Sequence, residues 1–135
     1  MGAMRRPEEQ LQRAVVQLLQ VYANRGLLTF CHVPNGGRRM RAEAGVLKAM
    51  GTTPGVPDLL IWLPGGGHFQ IELKAKTGRL SAHQAAWISR MTDMGVAVHI
   101  IRSLEGLEAL LRAEGVPPIG KLAAATPADI QERAR

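Results

Sequence analysis

The stretch DLLIWLPGGGHFQIELKAK, residues 58–76, decides the fold. Behind its aspartate, DLLIWL (58–63) is almost wholly apolar, as expected of a strand buried on both faces. PGGG (64–67) supplies a tight connection. From residue 68 to 76, Gln70, Glu72, Lys74 and Lys76 alternate with Ile71, Leu73 and Ala75, the period-two pattern of a strand. The two runs therefore read as an antiparallel hairpin, which sets Asp58 across from the region of Glu72 and Lys74. Taken singly, Asp58 could cap backbone amides in its turn, and the charged face of 68–76 could simply meet water. Together they bring two carboxylates and an ammonium to one end of a sheet.

Working outward, Pro7 to about Asn24 is a predicted helix, because Leu11, Val15, Leu18 and Tyr22 recur at helical spacing, with Pro7 in the first turn and Gly26 at the exit. LLTFCHV (27–33) is a predicted strand and PNGGRRMR (34–41) a basic loop. AEAGVLKAM (42–50) is a short helix closed by Gly51. Ser81 with Gln84 three residues later is a capping-box signature for a helix reaching about Met94. VAVHIIR (96–102) is a further buried strand and SLEGLEALLRAEG (103–115) a further helix. The core order is thus helix, three strands, helix, strand, helix.

A chain of 135 residues suits one hydrophobic core. The opening MGA, before Met4, reads as an expression scar; residues 4–116 form the domain, and 117–135 are a marginal tail, disordered or docked as a short helix. No apolar run approaches the roughly 18 residues of a membrane span, so a soluble, cytoplasmic protein without membrane contact is expected. The single Cys31 is read as a small core residue. The net charge is +6, and 13 of the 17 basic residues are arginine. Arginine's planar fork suits phosphate oxygens, so the balance leans toward a nucleic acid or another polyanion. With two Phe, two Trp and one Tyr, the stacking platforms of single-strand binders are not expected.

Two carboxylates about 6 Å apart repel by roughly 3 kcal/mol at an effective dielectric near 20. A divalent cation offsets that better than one lysine, and an Asp/Glu oxygen set favours Mg2+ or Mn2+. His32, His68, His83 and His99 show no zinc-like spacing and read as surface or core residues. Lys74 shares a strand face with Glu72. Beside two acids its ammonium form is favoured, which makes it a poor base and a good holder of an attacking water. Lys76, one step further out, would touch a nucleic-acid backbone or solvent.

GVPDLLIWLPGGGHFQIELKAKTGRLSAHQAAW (55–87) resembles the core of the VRR-NUC (virus-type replication-repair nuclease) family within the PD-(D/E)XK superfamily: a Pro-Asp, a hairpin, a Glu-x-Lys, then a helix carrying glutamine. PEEQLQRAVVQLL is similar to that family's first helix, and the Asn-Gly-Gly-Arg linker to that of its stand-alone phage and bacterial members. The resemblance runs from about residue 7 to 104. It implies an α/β, restriction-endonuclease-like αβββαβ core with a mixed sheet flanked by helices, like that of Holliday-junction resolvases. It further implies Asp58, Glu72 and the Leu73 carbonyl as Mg2+ ligands, with Mn2+ as a substitute, Lys74 as the catalytic lysine, and Gln84 as the glutamine that orients the site. Of the two first-helix glutamates, Glu8 aligns better than Glu9 and lies on the inward stripe; both could instead only favour the positive helix N-terminus. Asn35 matches a loop asparagine that orders the site or its turn.

The expected reaction is metal-dependent hydrolysis of a DNA phosphodiester. Arg38, Arg39, Arg41 and Arg79 are candidates for phosphate contacts that position the duplex without reading its sequence. No recognition helix is evident, so structure-selective cutting of branched DNA is expected. By analogy with the resolvases this calls for a homodimer, with the apolar helices near 84–94 and 104–111 as its surface. The alternative is a non-catalytic or broadly nonspecific DNA-binding module on the same fold.

Overall fold

Pro7 removes an N–H that a first helical turn cannot use, and the following apolar stripe places Val15, Leu19 and Tyr22 in the core. The computed structural model describes residues 6–34 and 42–120. Its elements are α1 (Pro7–Asn24), β1 (Thr29–His32), α2 (Ala44–Ala49), β2 (Leu59–Trp62), β3 (His68–Leu73), α3 (Ala82–Asp93), β4 (Val98–Ile101) and α4 (Leu104–Ala113). This is the αβββαβ order that the resemblance implies, with α2 inserted and α4 appended.

The strands lie in the order β1-β2-β3-β4. β1 with β2 and β2 with β3 are antiparallel, whereas β3 and β4 are parallel. The parallel pair follows from the α3 crossover, since a tight turn cannot return a chain in the same direction. The β2–β3 hairpin pairs Leu59 with Ile71 and Trp62 with His68. Its turn closes through Leu63 N–H to Gly67 O at 2.7 Å and Gly66 N–H to Leu63 O at 3.1 Å. Gly65 and Gly66 hold φ of +91° and +95°, which a Cβ would strain.

One face of the sheet carries the core. Leu59, Ile61, Phe69, Ile71, Leu73 and Ile101 pack there with Leu107 and Leu111 of α4 and the α1 stripe. Each such leucine or isoleucine contributes about 2 kcal/mol of burial. The first turns of the expected tail belong to this core as well: Ile119 packs against it, and its backbone hydrogen-bonds the Tyr22 hydroxyl. Burial of that phenol pushes its pKa up. Residues 1–5 and 121–135, with the expected scar and the rest of the tail, lie outside the described residues.

The opposite face is thinly covered, and this corrects several expectations. DLLIWL is not buried on both sides: Leu59 and Ile61 are fully enclosed, but Trp62 is 42% exposed. Cys31 is exposed rather than internal, because it projects from the face of β1 opposite Phe30. In β4, Ile100 is 40% exposed. The charged strand ends at Leu73, not at residue 76, and Lys76 sits in the following turn. Three carbonyls recruit one guanidinium to stabilise that turn: Arg102 Nη1 donates to Ala75 O at 2.7 Å and Gly78 O at 2.8 Å, and reaches Lys76 O at 3.4 Å. The stripe of α4 is spent on the chain's own core, with Leu107 and Leu111 essentially inaccessible, so it offers no second surface. α3 buries none of its residues fully.

Candidate active site

Asp58 continues the β2–β3 register one step beyond the Leu59–Ile71 pair, which puts it opposite Glu72. Its main chain is held from the other side by Val33 N–H, which donates to Asp58 O at 2.8 Å. Its carboxylate accepts from Leu73 N–H through Oδ2 at 2.8 Å. The turn before it is wedged against α3: a Cβ on Gly55, at φ +86°, would stand 2.3 Å from His83 O. Only glycine permits that approach.

Glu72 is 3% exposed, and its Oε1 accepts from Gln84 Nε2 at 2.9 Å. Gln84 reaches it from the first turn of α3, where its backbone N–H donates to Ser81 Oγ at 3.2 Å and its Oε1 accepts from Ser81 N–H at 2.8 Å. The capping box read from the sequence therefore also aims an amide at the buried acid. Lys74 is 8% exposed; its backbone N–H donates to Ile101 O at 3.1 Å, and its Nζ lies 3.7 Å from Glu8 Oε1. Glu9 turns away along α1 and pairs with Arg13 at 3.1 Å.

These groups border a cleft of about 480 Å³ lined also by Leu73, Gly55, Val56, Ser81 and His83, with Arg6, Glu9 and Gln12 at the α1 side. Four of its described residues are acids (Glu8, Glu9, Asp58, Glu72) and two carry fixed positive charge (Arg6, Lys74), a formal balance of −2. Burial first, and then the Asp58 carboxylate, push the Glu72 carboxyl up to about 8, against the opposing pull of Lys74. Lys74 alone does not offset the paired acids. A hard divalent cation fits this donor set, since Mg2+ takes one or two carboxylates and completes its shell with carbonyl, water and phosphate oxygens. Among the described residues no three His, Cys, Asp or Glu side chains gather as a metal cluster, so a zinc-type cage has no support there.

The structure thus brings Glu8, Asp58, Glu72, Leu73, Lys74 and Gln84 to one cleft. Lys76 and Arg79 are exposed on the turn that leaves β3, outside the described lining. Asn35, Arg38, Arg39 and Arg41 lie outside the described residues. Sequence reasoning missed Arg6, Gln12 and His83 as lining residues. Gln12 was within reach of it, since it stands four residues after Glu8 on the same helical face. No described helix is long and apolar enough to cross a membrane.

Comparison with known proteins bears on the family and the fold. The family model of the VRR-NUC domain matches residues 6–105. Among curated proteins, none matches the chain. A solved structure described as "VRR_NUC domain" is similar at TM-score 0.57 and 19% identity, over 80% of this chain and 97% of that one. A second, described as "VRR_NUC domain protein", is similar at TM-score 0.60 and 18% identity, over 82% of this chain and 89% of that one. At such identities the two structures speak for the fold, an α/β mixed sheet with flanking helices. The family match covers most of the chain, and the chain belongs to the VRR-NUC family, a nuclease-type family.

Proposed function

We propose that the chain is a Mg2+-dependent, structure-selective DNA endonuclease that hydrolyses phosphodiester bonds, with Mn2+ able to replace Mg2+. The observation that carries this reading is the contact of two acids, Asp58 and Glu72, in a cleft that holds one buried lysine beside them. Asp58, Glu72 and the Leu73 carbonyl would hold the cation. When bound, a divalent ion supplies charge stabilisation for the phosphoryl group and an acidified water as nucleophile.

The chain's own residues do the rest. Lys74, its chain anchored to β4 through the Ile101 carbonyl, directs its ammonium into the cleft, where it orients the water and neutralises charge developing on the phosphate. Glu8 draws that ammonium toward α1 and keeps it from collapsing onto the acids of the sheet. Gln84 fixes the rotamer of Glu72. Arg79 and Lys76, with the arginines at 38, 39 and 41 and Asn35, contact phosphates away from the reacting bond.

The substrate is DNA, and branched DNA such as a Holliday junction fits a small basic domain with no base-reading helix among its described residues. Symmetric cutting of such a junction requires two copies, so we assign a homodimer acting in the cytoplasm in phage replication or DNA repair. The apolar residues exposed around α3, including Met94 at 73%, are its candidate contact.

The test is cleavage of labelled four-way, flap and linear DNA with Mg2+ by the native chain and by Glu72→Ala and Lys74→Ala. Loss of cutting in both variants, with folding intact, is expected; cutting that survives both removes this cleft from the reaction.

A further inference from the structure

His32 lies outside the described lining of the cleft, but its ring touches the main chain of the residue on which the cleft depends. Its Nδ1 is 2.8 Å from Asp58 O and 3.0 Å from the amide nitrogen of Gln12. These contacts cannot both be hydrogen bonds with the Gln12 amide nitrogen facing the ring. A carbonyl only accepts, so the 2.8 Å contact requires a hydrogen on Nδ1; an amide N–H facing that hydrogen would then be repelled. The carbonyl is fixed by the ladder, whereas the Gln12 amide reverses by a half-turn that moves no other atom. The fixed partner decides: Nδ1 carries the hydrogen and donates it to Asp58 O, and Gln12, turned to present its oxygen, shares that same hydrogen as a second acceptor in a three-centre bond.

Position makes that bond matter. Pro57, just before Asp58, is fully buried and has no N–H to add to the sheet. β1 ends at His32, so among the described residues Val33 N–H to Asp58 O, at 2.8 Å, is the last rung on that side. The carbonyl's two lone pairs are thus filled by Val33 and His32, while the carboxylate of the same residue takes Leu73 N–H. Loss of the ring leaves a frayed ladder end directly under the side chain proposed to bind the cation. Through Gln12 the ring also ties this end of the sheet to α1, the helix that carries Glu8.

We propose that His32 is a positioning residue of the nuclease: its Nδ1–H fixes the Asp58 main chain and couples it to α1 through Gln12. The proposal rests on the functional reading above, and its effect appears as about a tenfold loss of metal affinity or turnover, the usual consequence of removing a group that orients a ligand.

Histidine's two nitrogens are separable by substitution. The asparagine amide nitrogen occupies the place of Nδ1, and the glutamine amide nitrogen that of Nε2. Mn2+ affinity of the DNA-free protein is measured by calorimetry for the native chain, Asp58→Asn, and His32→Ala, →Asn and →Gln, with kcat and KM on a labelled duplex. Expected is Asp58-dependent uptake by the native chain, about tenfold weaker uptake and lower kcat in His32→Ala and His32→Gln, and near-native values in His32→Asn. KM for DNA should change little in all three. Gln12→Ala combined with His32→Ala should lose no more than His32→Ala alone, because Gln12 acts through the ring.

Native affinity and turnover in His32→Ala overturn the assignment, as does an asparagine variant as weak as the alanine one. Losses that add in the double variant remove the coupling to α1. Should the alanine variant fail to fold, the comparison of asparagine with glutamine decides in the same way. A native chain without Asp58-dependent Mn2+ uptake overturns the nuclease reading too; uptake that persists unchanged in His32→Ala overturns only the role of His32.

Discussion

Gln84 donates through Nε2 to Glu72 Oε1 at 2.9 Å while its own Oε1 accepts from Ser81 N–H at 2.8 Å. One amide therefore closes the start of α3 and holds a buried acid of β3. Gln84→Ala should cost about 1 kcal/mol through the lost cap, a fall of a few degrees in Tm, and should also lower cleavage about tenfold. Gln84→Glu separates the two effects: it still reaches Ser81 but sets a second carboxylate against Glu72, so thermal unfolding should recover more than cleavage does.

Replacing Asp58 by Asn, Glu72 by Gln or Lys74 by Met should each lower single-turnover cleavage by about 10² to 10³-fold, the scale of removing one group that stabilises developing charge. Circular dichroism should show an unchanged fold. Glu72→Gln removes a charge that is 3% exposed and faces Asp58, so in chelator at pH 8 its Tm should lie above that of the native chain.

The raised Glu72 carboxyl predicts an inverted pH profile for the metal-free protein. Its ordinary value is 4.5 and its folded value about 8, so between these limits the folded state binds more protons than the unfolded one. The contribution is complete below 4.5 and disappears as pH rises through 8. Tm in chelator should fall from pH 5 to pH 8. Mg2+ or Mn2+ should flatten that slope by displacing the proton; a Tm that rises with pH in chelator would contradict it.

Gly55→Ala puts a methyl group 2.3 Å from His83 O at a φ of +86°. Both the contact and the backbone disfavour it, at about 1–3 kcal/mol for the conformation alone. Because the clash pushes the Pro-Asp turn away from α3, cleavage should drop together with denaturant midpoint. Gly51→Ala, at φ +99° but with open space around it, should cost stability and leave cleavage per folded molecule unchanged.

For Arg79→Ala, the slope of log affinity for DNA against log salt should become shallower by about 1, the signature of one lost phosphate contact. Fluorescence anisotropy across a salt series measures it. An unchanged slope would place Arg79 away from the duplex.

Much of the architecture was legible because the signals were local. The alternation at 68–73, the glycines at 65–67, the Ser81–Gln84 box and the α1 stripe each fix an element within a few residues. The encounter of Asp58 with Glu72 was legible too, since a short hairpin leaves little freedom of register. What escaped was whatever depended on partners distant in sequence. Whether β2 or β4 would be covered on its second face is decided by how far α3 reaches, and composition does not encode that. His32 gave no sign because its partner stands 26 positions away, across a strand pair whose register is set by packing. The end of β3 at Leu73 reflects Arg102 gathering the carbonyls beyond it, another long-range contact.

β3 lies between β2 and β4 with side chains enclosed on both of its faces at Ile71, Glu72 and Leu73. A segment so placed is released from its neighbours only when the domain as a whole opens, so its amides should be among the slowest to exchange with deuterated solvent. The carboxylate proposed to hold the cation is thus mounted on an enclosed central strand, and under the proposed function adaptation to differently shaped DNA would fall to the surrounding turns.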